Sequence, residues 1–237
     1  MSDERTRRYY DDFATTYEGG RDRGYHALVD DIEASLVIPH ARGKRVLEVG
    51  CGTGLVLARI APVAERAVGV DLSPGMLAKA RERGLEVHEG SATALPFEAE
   101  SFDVVCSFKV LAHVPDLPQA LREVSRVLRP GGIALLELYN RRSLRYLARR
   151  IAGARRIGSS HRESDISTRW DTTDSIRRAL PPELELERFA GVRIVTPAAV
   201  LHAIPGVRAL LGKAERVLAE GPLAEWGGFL VAVAKKR

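Results

Sequence analysis

The chain is poor in the features that would assign it to several common classes. It has two cysteines in 237 residues, Cys51 and Cys106, and they lack CxxC spacing. Neither a disulfide framework nor a cysteine-based metal site is therefore expected, and no metal is assigned. No apolar run approaches the roughly 18 residues of a membrane span. The opening MSDERTRR has no apolar signal segment, so a cytoplasmic protein is the default expectation. No Pro/Gly/Ser-rich linker divides the chain. At 45% hydrophobic and 28% charged residues, it reads as one globular domain with a sizeable core.

What is present is uneven in charge. The net charge of +5 is modest, but between Arg141 and Arg169 there are nine arginines against Glu163 and Asp165. Such a cluster suits nucleic acid, an anionic membrane face or an acidic substrate. It equally suits a solvated, cation-rich helix and loop.

The most informative stretch is Arg45 to Gly54, RVLEVGCGTG. Val46, Leu47 and Val49 form a short apolar run that predicts a buried parallel strand. It breaks into Gly50, Gly52 and Gly54, and Leu55 to about Ala61 reads as a helix ended by Pro62. A strand feeding glycines and then a helix brings backbone close to a ligand, because no Cβ intervenes. The helix start offers unpaired N–H groups. A small-molecule cradle is expected.

The glycines run G-x-G-x-G, and Leu55 stands where a dinucleotide fingerprint would have its third glycine. Asp71 ends a second apolar run, Ala67 to Val70, and is placed to accept both hydroxyls of a ribose. Glu48 at the first strand's end would repel a pyrophosphate and favour a cationic ligand. A nicotinamide oxidoreductase therefore ranks last.

Elsewhere, Thr6 to Leu36 reads as helices, with Tyr10, Phe13 and Tyr17 on one face. Ser73 caps a helix that has Pro74 in its first turn and Gly84 as its stop. Strands are expected at Leu85 to Glu89, Phe102 to Phe108 and Gly132 to Leu138. Asp116 to Arg129 is an amphipathic helix, ended by ArgProGlyGly. Ser143 to Ala152 reads as a basic helix, and Thr173 as the cap of a short helix to Leu180. Leu184 to Val195 and Gly228 to Ala234 should form a closing hairpin of strands. Pro197 to Glu225 between them is too long for a turn. Its apolar positions, from Val200 to Leu218, predict two helices split at Pro205 and Gly206. Together with Arg141 to Trp170 they would cap an acceptor site and favour a hydrophobic acceptor.

VLEVGCGTG, VGVDLS with Met76, ALPF, SFDVV and VLRPGG together resemble the class I S-adenosylmethionine-dependent methyltransferases. The chain is most similar to the group containing the ubiquinone and menaquinone C-methyltransferases, over roughly Arg45 to Leu138 and more weakly over Tyr9 to Arg23. The resemblance implies a Rossmann-like α/β fold: seven strands, mostly parallel with an antiparallel last strand, and helices on both faces. An N-terminal helical lid would cover residues 1–40, the cofactor core 41–140, and the substrate-side cap and closing strands 141–237. It implies S-adenosylmethionine as cofactor and S-adenosylhomocysteine as product.

On that basis Glu48, Gly50, Cys51, Gly52 and Gly54 should cradle the methionine part and Asp71 the ribose. Leu72, Met76, Ser91, Ala92 and Leu95 should meet the adenine, Tyr17 should line the pocket from the N-terminal segment, and Phe108 at the tip of strand four should border the cofactor. Many relatives carry aspartate where Ser91 stands, and its hydroxyl still accepts a hydrogen bond. His113, beyond strand four, is the candidate general base. A histidine bonded to backbone at a helix start is the competing reading. Lys109 is expected to pair with Glu48 or with an acidic substrate. The expected partner is a small-molecule acceptor, with membrane-surface contact compatible and a monomer or homodimer both allowed. A binding module without catalysis, and a nucleic-acid methyltransferase using the arginines, are the alternatives.

Overall fold

The computed structural model describes residues 3–14, 17–19, 24–152, 156–157, 161–162, 168–196, 201–202 and 204–237. Two helices, α1 (Asp3–Ala14) and α2 (Gly24–Ala41), precede β1 (Arg45–Val49). Then follow α3 (Leu57–Ile60), β2 (Arg66–Asp71), α4 (Pro74–Glu82), β3 (Glu86–Glu89), β4 (Phe102–Ser107), α5 (Leu117–Val127) and β5 (Leu128–Tyr139). The rest comprises α6 (Leu144–Ala152), a short ladder of β6 (Arg156–Ile157) with β7 (His161–Arg162), α7 (Thr173–Ala179), β8 (Leu184–Val192), α8 (Pro205–Leu218) and β9 (Phe229–Lys236).

Seven strands form one sheet in the order β3-β2-β1-β4-β5-β9-β8. The pairs from β3 to β5 are parallel, and β9 runs antiparallel to both β5 and β8. The expected Rossmann-like architecture is present. β1 lies inside the sheet between β2 and β4, and its Val46, Leu47 and Val49 are apolar on both faces, as a strand covered by helices on each side requires.

Strand alternation sends successive side chains to opposite faces. Leu47 and Val49 join Val105, Leu136 and the α5 residues Leu117, Leu121 and Val124 in one core layer. Val46 joins Val104, Cys106, Leu135 and the α2 residues Val29, Ile32, Leu36 and Val37 in the other. Both cysteines are buried free thiols.

Several expected boundaries move. The helix after the glycine loop is a single turn, α3. Thr172, not Thr173, caps α7: its hydroxyl accepts from the Ser175 amide while the Ser175 hydroxyl accepts from the Thr172 amide, a reciprocal cap that the ThrThr pair left ambiguous. β5 begins at Leu128, so ArgProGlyGly lies within its run, with Gly131 at φ 77°. Pro205 opens α8 rather than splitting two helices, because proline suits a first turn whose N–H has no intrahelical partner. Val200 lies outside the described residues. α8 packs on α2, with Gly212 facing Leu28, and exposes Leu210 and Val217.

Candidate active site

The strands β1, β2 and β4 end together, and ligands of such sheets sit beyond those ends. There the structure has a cleft enclosing about 1060 Å³, its mouth included. The loop after β1 forms its floor. The amides of Gly50 and Cys51 both donate to Val70 O, at 2.7 and 3.0 Å, and Gly54 N donates to Cys51 O at 2.8 Å. The chain turns this sharply because Gly50, Gly52 and Gly54 have φ of 74°, 52° and 78°, a region that costs glycine little. A Cβ on Gly50 would lie 2.2 Å from Val110 Cγ2. A Cβ on Gly52 would meet nothing within 4 Å, so this glycine leaves a cradle that a side chain would fill.

Asp71 ends β2 with both oxygens engaged by backbone: Oδ2 accepts from Gly52 N and Oδ1 from Ser73 N, each at 2.9 Å. Burial pushes its carboxyl up, and those amides oppose the rise. Each oxygen retains a further lone pair for a ligand hydroxyl. Glu48 is buried, and its Oε2 has no hydrogen-bond partner. Desolvation first, then Glu33 and Asp30, raise its pKa well above the ordinary value, while Lys109 and a Leu57 amide oppose them. An orphaned carboxylate oxygen on a cleft wall calls for a cation or a donor.

The N-terminal helix closes one side. Asp11 Oδ1 accepts from Ser73 Oγ at 2.5 Å and from Gly75 N at 3.0 Å, Glu18 pairs with Arg83, and Tyr10 and Tyr17 line the cleft. The side chain of Phe13 lies outside the described residues.

At the opposite side, β4 runs into a 3₁₀ turn, Leu111–His113. His113 lines the cleft, and its Nε2 lies 3.3 Å from Tyr139 Oη. Tyr139 is stacked edge-on by His113 and Trp170, with the Arg145 guanidinium 4.3 Å above its ring. Burial raises the Tyr139 phenol, and Arg145 pulls it back.

Of the anticipated residues, Tyr17, Glu48, Gly50, Cys51, Gly52, Asp71, Leu72, Met76, Ser91, Ala92, Phe108 and His113 all line this one cleft. Gly54 and Leu95 do not. Gly54 serves the loop's packing, since a Cβ there would lie 2.3 Å from Leu85 Cδ1. Leu95 is buried in the core, its amide donating to Glu123 at 2.7 Å. Lys109 departs from expectation too. Its ammonium meets Asp30 and Glu33 of α2, at 2.7 and 2.8 Å, rather than Glu48.

Among the described residues, none beyond Pro115 lines the cleft; stretches of the anticipated cap, 153–155, 158–160, 163–167, 197–200 and 203, lie outside the described residues. The arginine cluster is partly turned inward. Arg145 and Arg149 lie over the Trp170 ring, and Arg169 pairs with Asp171 at 2.8 Å. Arg155 lies outside the described residues, as do the side chains of Arg156 and Arg162.

The sequence reading missed Asp30 as a wall residue. Its signal was an aspartate and a glutamate three apart, Asp30 and Glu33, on a helix face otherwise built from Val29, Ile32 and Val37. Buried carboxylates on an apolar face need partners.

Comparison with known proteins agrees with this geometry. A family model described as a methyltransferase domain matches residues 47–136. A ubiquinone biosynthesis O-methyltransferase of Xanthomonas oryzae pv. oryzae is 30% identical over 193 residues, covering 73% of this chain and 76% of that protein. A demethylmenaquinone methyltransferase of Chlorobaculum parvum is 36% identical over 140 residues, covering 55% of this chain and 58% of that protein. The chain spans roughly two fifths to three fifths of the length of several curated relatives it matches. The crystal structure of a SAM-dependent methyltransferase from Thermotoga maritima shares the fold, with TM-score 0.67, 22% identity, and coverage of 97% of this chain and 98% of that one. With the glycine loop, the strand-end aspartate and the matched motifs in one cleft, the chain belongs to the S-adenosylmethionine-dependent methyltransferases.

Proposed function

We propose that the protein transfers a methyl group from S-adenosylmethionine to a small, apolar acceptor. The observation that carries this reading is the cleft itself: an open glycine cradle lies between two strand-end carboxylates, Glu48 with a bare oxygen and Asp71 with spare lone pairs. A cationic amino-acid moiety suits the first and a ribose diol the second. Leu72, Met76 and Ala92 offer an apolar slot for a purine. When bound, S-adenosylmethionine supplies a methyl already activated by its sulfonium, so the protein need provide no electrophile.

The chain's own contribution is then position and proton handling. Tyr10 and Tyr17 narrow the cleft and keep water out. Holding an acceptor nucleophile in line supplies roughly 7–11 kcal/mol of the barrier. A phenol or alcohol must lose its proton, and His113 offers an imidazole in the wall to take it. Tyr139 orients the ring through Nε2, so a protonated imidazole would be held in place after accepting the acceptor's proton.

The quinone-pathway names of the relatives support an apolar acceptor for this chain as well, and the oxygen, nitrogen or carbon that is methylated follows from the acceptor. Contact with a membrane surface, where apolar acceptors partition, is compatible with the Leu144 and Leu147 side chains exposed beside Arg141, Arg142 and Arg150. No helix among the described residues is long and apolar enough to cross a membrane. We place action in the cytoplasm. The nucleic-acid alternative loses ground because Arg145, Arg149 and Arg169 are committed to internal contacts.

The test is incubation of the purified protein with methyl-labelled S-adenosylmethionine and demethylated quinol, catechol, amine and RNA acceptors in parallel. Transfer to the quinol or catechol is expected, and transfer only to RNA would overturn the reading.

A further inference from the structure

Among the described residues, the stretch from Arg141 to Asp171 puts no side chain on the cleft wall, yet it bears on that wall from behind. The start of α6 is built to hold one arginine inward. Ser143 caps the helix by accepting from Tyr146 N at 3.1 Å, while its hydroxyl donates to Asn140 O at 2.8 Å. Asn140 Nδ2 donates to Glu225 O and Gly227 O, each at 2.8 Å, which ties this first turn to the segment before β9. Gly228 leaves the space that the Arg145 stem takes, since a Cβ there would lie 3.2 Å from Arg145 Cδ.

Arg145 ends in an aromatic box. Tyr139 and Phe229 stand opposite each other in the β5–β9 ladder, with ring centres 5.1 Å apart. Trp170 closes a third side, 5.4 Å from Tyr139. The guanidinium lies 4.3, 4.5 and 5.0 Å from the ring centres of Tyr139, Phe229 and Trp170. A guanidinium shared by three rings gives up the rotamer freedom of a surface arginine and steadies the rings it touches.

Backbone bonds hold the Trp170 side of the box to the elements that meet at the cleft. Arg169 N donates to Ala112 O at 2.8 Å, one residue before His113, and Asp171 N donates to Tyr139 O at 2.7 Å. The box therefore grips both ends of the His113–Tyr139 contact: the turn that carries the imidazole and the strand that carries the phenol.

We infer that Arg145 is a positioning residue for His113, acting through Tyr139: the guanidinium fixes the phenol, and the phenol fixes the imidazole that lines the cleft. The inference rests on the reading of His113 as the group that takes the acceptor's proton. It gives the 141–171 stretch a task in the reaction that needs no contact with donor or acceptor. The lever is orientation. Tyr139 Oη meets His113 Nε2 at 3.3 Å, a long hydrogen bond that defines the ring only if the phenol is itself held still. An imidazole turned away from the acceptor's O–H loses proton transfer without losing ligand binding. The proton passes from the acceptor's oxygen to the imidazole, and Arg145 exchanges none.

The experiment measures methyl transfer to a demethylated quinol and a catechol by the wild type, Arg145→Met, His113→Gln and the double variant, with histidine-ring NMR on the same proteins. Arg145→Met keeps the stem and removes the guanidinium. It should lower kcat about tenfold, leave the acceptor KM and the donor affinity within about twofold, and broaden or split the His113 ring signal. In the His113→Gln background the same change should alter kcat by less than about twofold, because the positioned group is gone. Arg145→Lys keeps the charge without the flat guanidinium, so it should show the same pattern in smaller size, and it serves if Arg145→Met does not fold. An undiminished kcat with an unaltered His113 signal, or an equal fall in the His113→Gln background, overturns the positioning role alone. A wild-type rate in His113→Gln overturns the base reading and the positioning together. A wild type that labels neither acceptor overturns the proposed function beneath both.

Discussion

Asp11 of the N-terminal helix reaches Ser73 at the start of α4, with Oδ1 to Oγ at 2.5 Å. The same oxygen accepts from Gly75 N at 3.0 Å, so one carboxylate from a distant part of the sequence occupies the positive end of a helix. Ser73 in turn accepts from Met76 N at 3.1 Å. The contact latches α1, the helix carrying Tyr10, to the segment that carries Asp71, Leu72 and Met76.

Cutting that latch should open the cleft without unfolding the sheet. Asp11→Ala is expected to weaken S-adenosylmethionine binding by about 1–2 kcal/mol, the scale of a charge-assisted hydrogen bond and a helix-end charge together. Calorimetry gives the affinity, and proteolysis near the N-terminus should accelerate in parallel. Unaltered affinity would mean that α1 sits on the cleft without closing it.

Asp71 holds two backbone amides and, in the proposed site, the ribose, and its substitution should show both duties. Asp71→Ala frees the Gly52 and Ser73 amides and removes the ribose acceptor. A loss of about 1–3 kcal/mol in cofactor affinity is expected, with a smaller fall in melting temperature. Asp71→Asn should recover part of the stability and little of the affinity, because its NH₂ cannot accept. Equal affinity in all three proteins would contradict the ribose role.

Two glycines of the same loop should respond differently to alanine. At Gly50 the new Cβ strikes Val110, so Gly50→Ala should lower stability by about 2 kcal/mol or more through strain and clash. At Gly52 the Cβ enters open space, so Gly52→Ala should cost about 1 kcal/mol of stability from its positive φ and a larger share of cofactor binding. Thermal denaturation with and without cofactor separates the two. A stable, binding-competent Gly50→Ala would contradict the packing assigned to it.

Buried carboxylates give a pH signature of stability. Glu137 is raised well above the ordinary glutamate value of 4.5, chiefly by burial and then by Glu33. A raised folded pKa means the folded chain holds the proton longer than the unfolded one. The stabilising effect is complete below about 4.5 and is lost as pH climbs toward the folded value. Glu137→Gln should therefore be nearly neutral in mild acid and stabilising above neutral pH, as followed by urea denaturation across pH. A destabilised variant at alkaline pH would mean Glu137 is ionised in the fold.

Much of this was legible in the residues. RVLEVGCGTG announced a strand, a turn and a cradle, because glycine periodicity and apolar runs are local signals. Asp71 followed from its place at the end of the next apolar run, and Met76 from the family resemblance. The Lys109 partnership was not legible. Asp30 and Glu33 lie 79 and 76 positions away in a helix of another layer, and only packing of α2 on β1 and β4 reveals that their carboxylates face inward. Pro205 misled for a related reason. A proline marks a boundary, but whether it ends one helix or begins another depends on what packs against it. The partner of α8 was hidden on the same ground, since amphipathic spacing names an apolar face without naming what packs on it, here α2.

His113 is the base in the proposed reaction, and its variants address that proposal directly. His113→Gln and His113→Ala should leave cofactor affinity unchanged, while Tyr139→Phe loosens the ring and costs less. The decisive measurement is transfer of label from methyl-labelled S-adenosylmethionine to a demethylated quinol, by the wild type and by His113→Gln. The account predicts labelled quinol from the wild type and a drop of about 10²–10⁴ in rate for the variant. Tight cofactor binding with no labelled acceptor of any class would contradict it, and would leave a protein that binds the donor and does no chemistry.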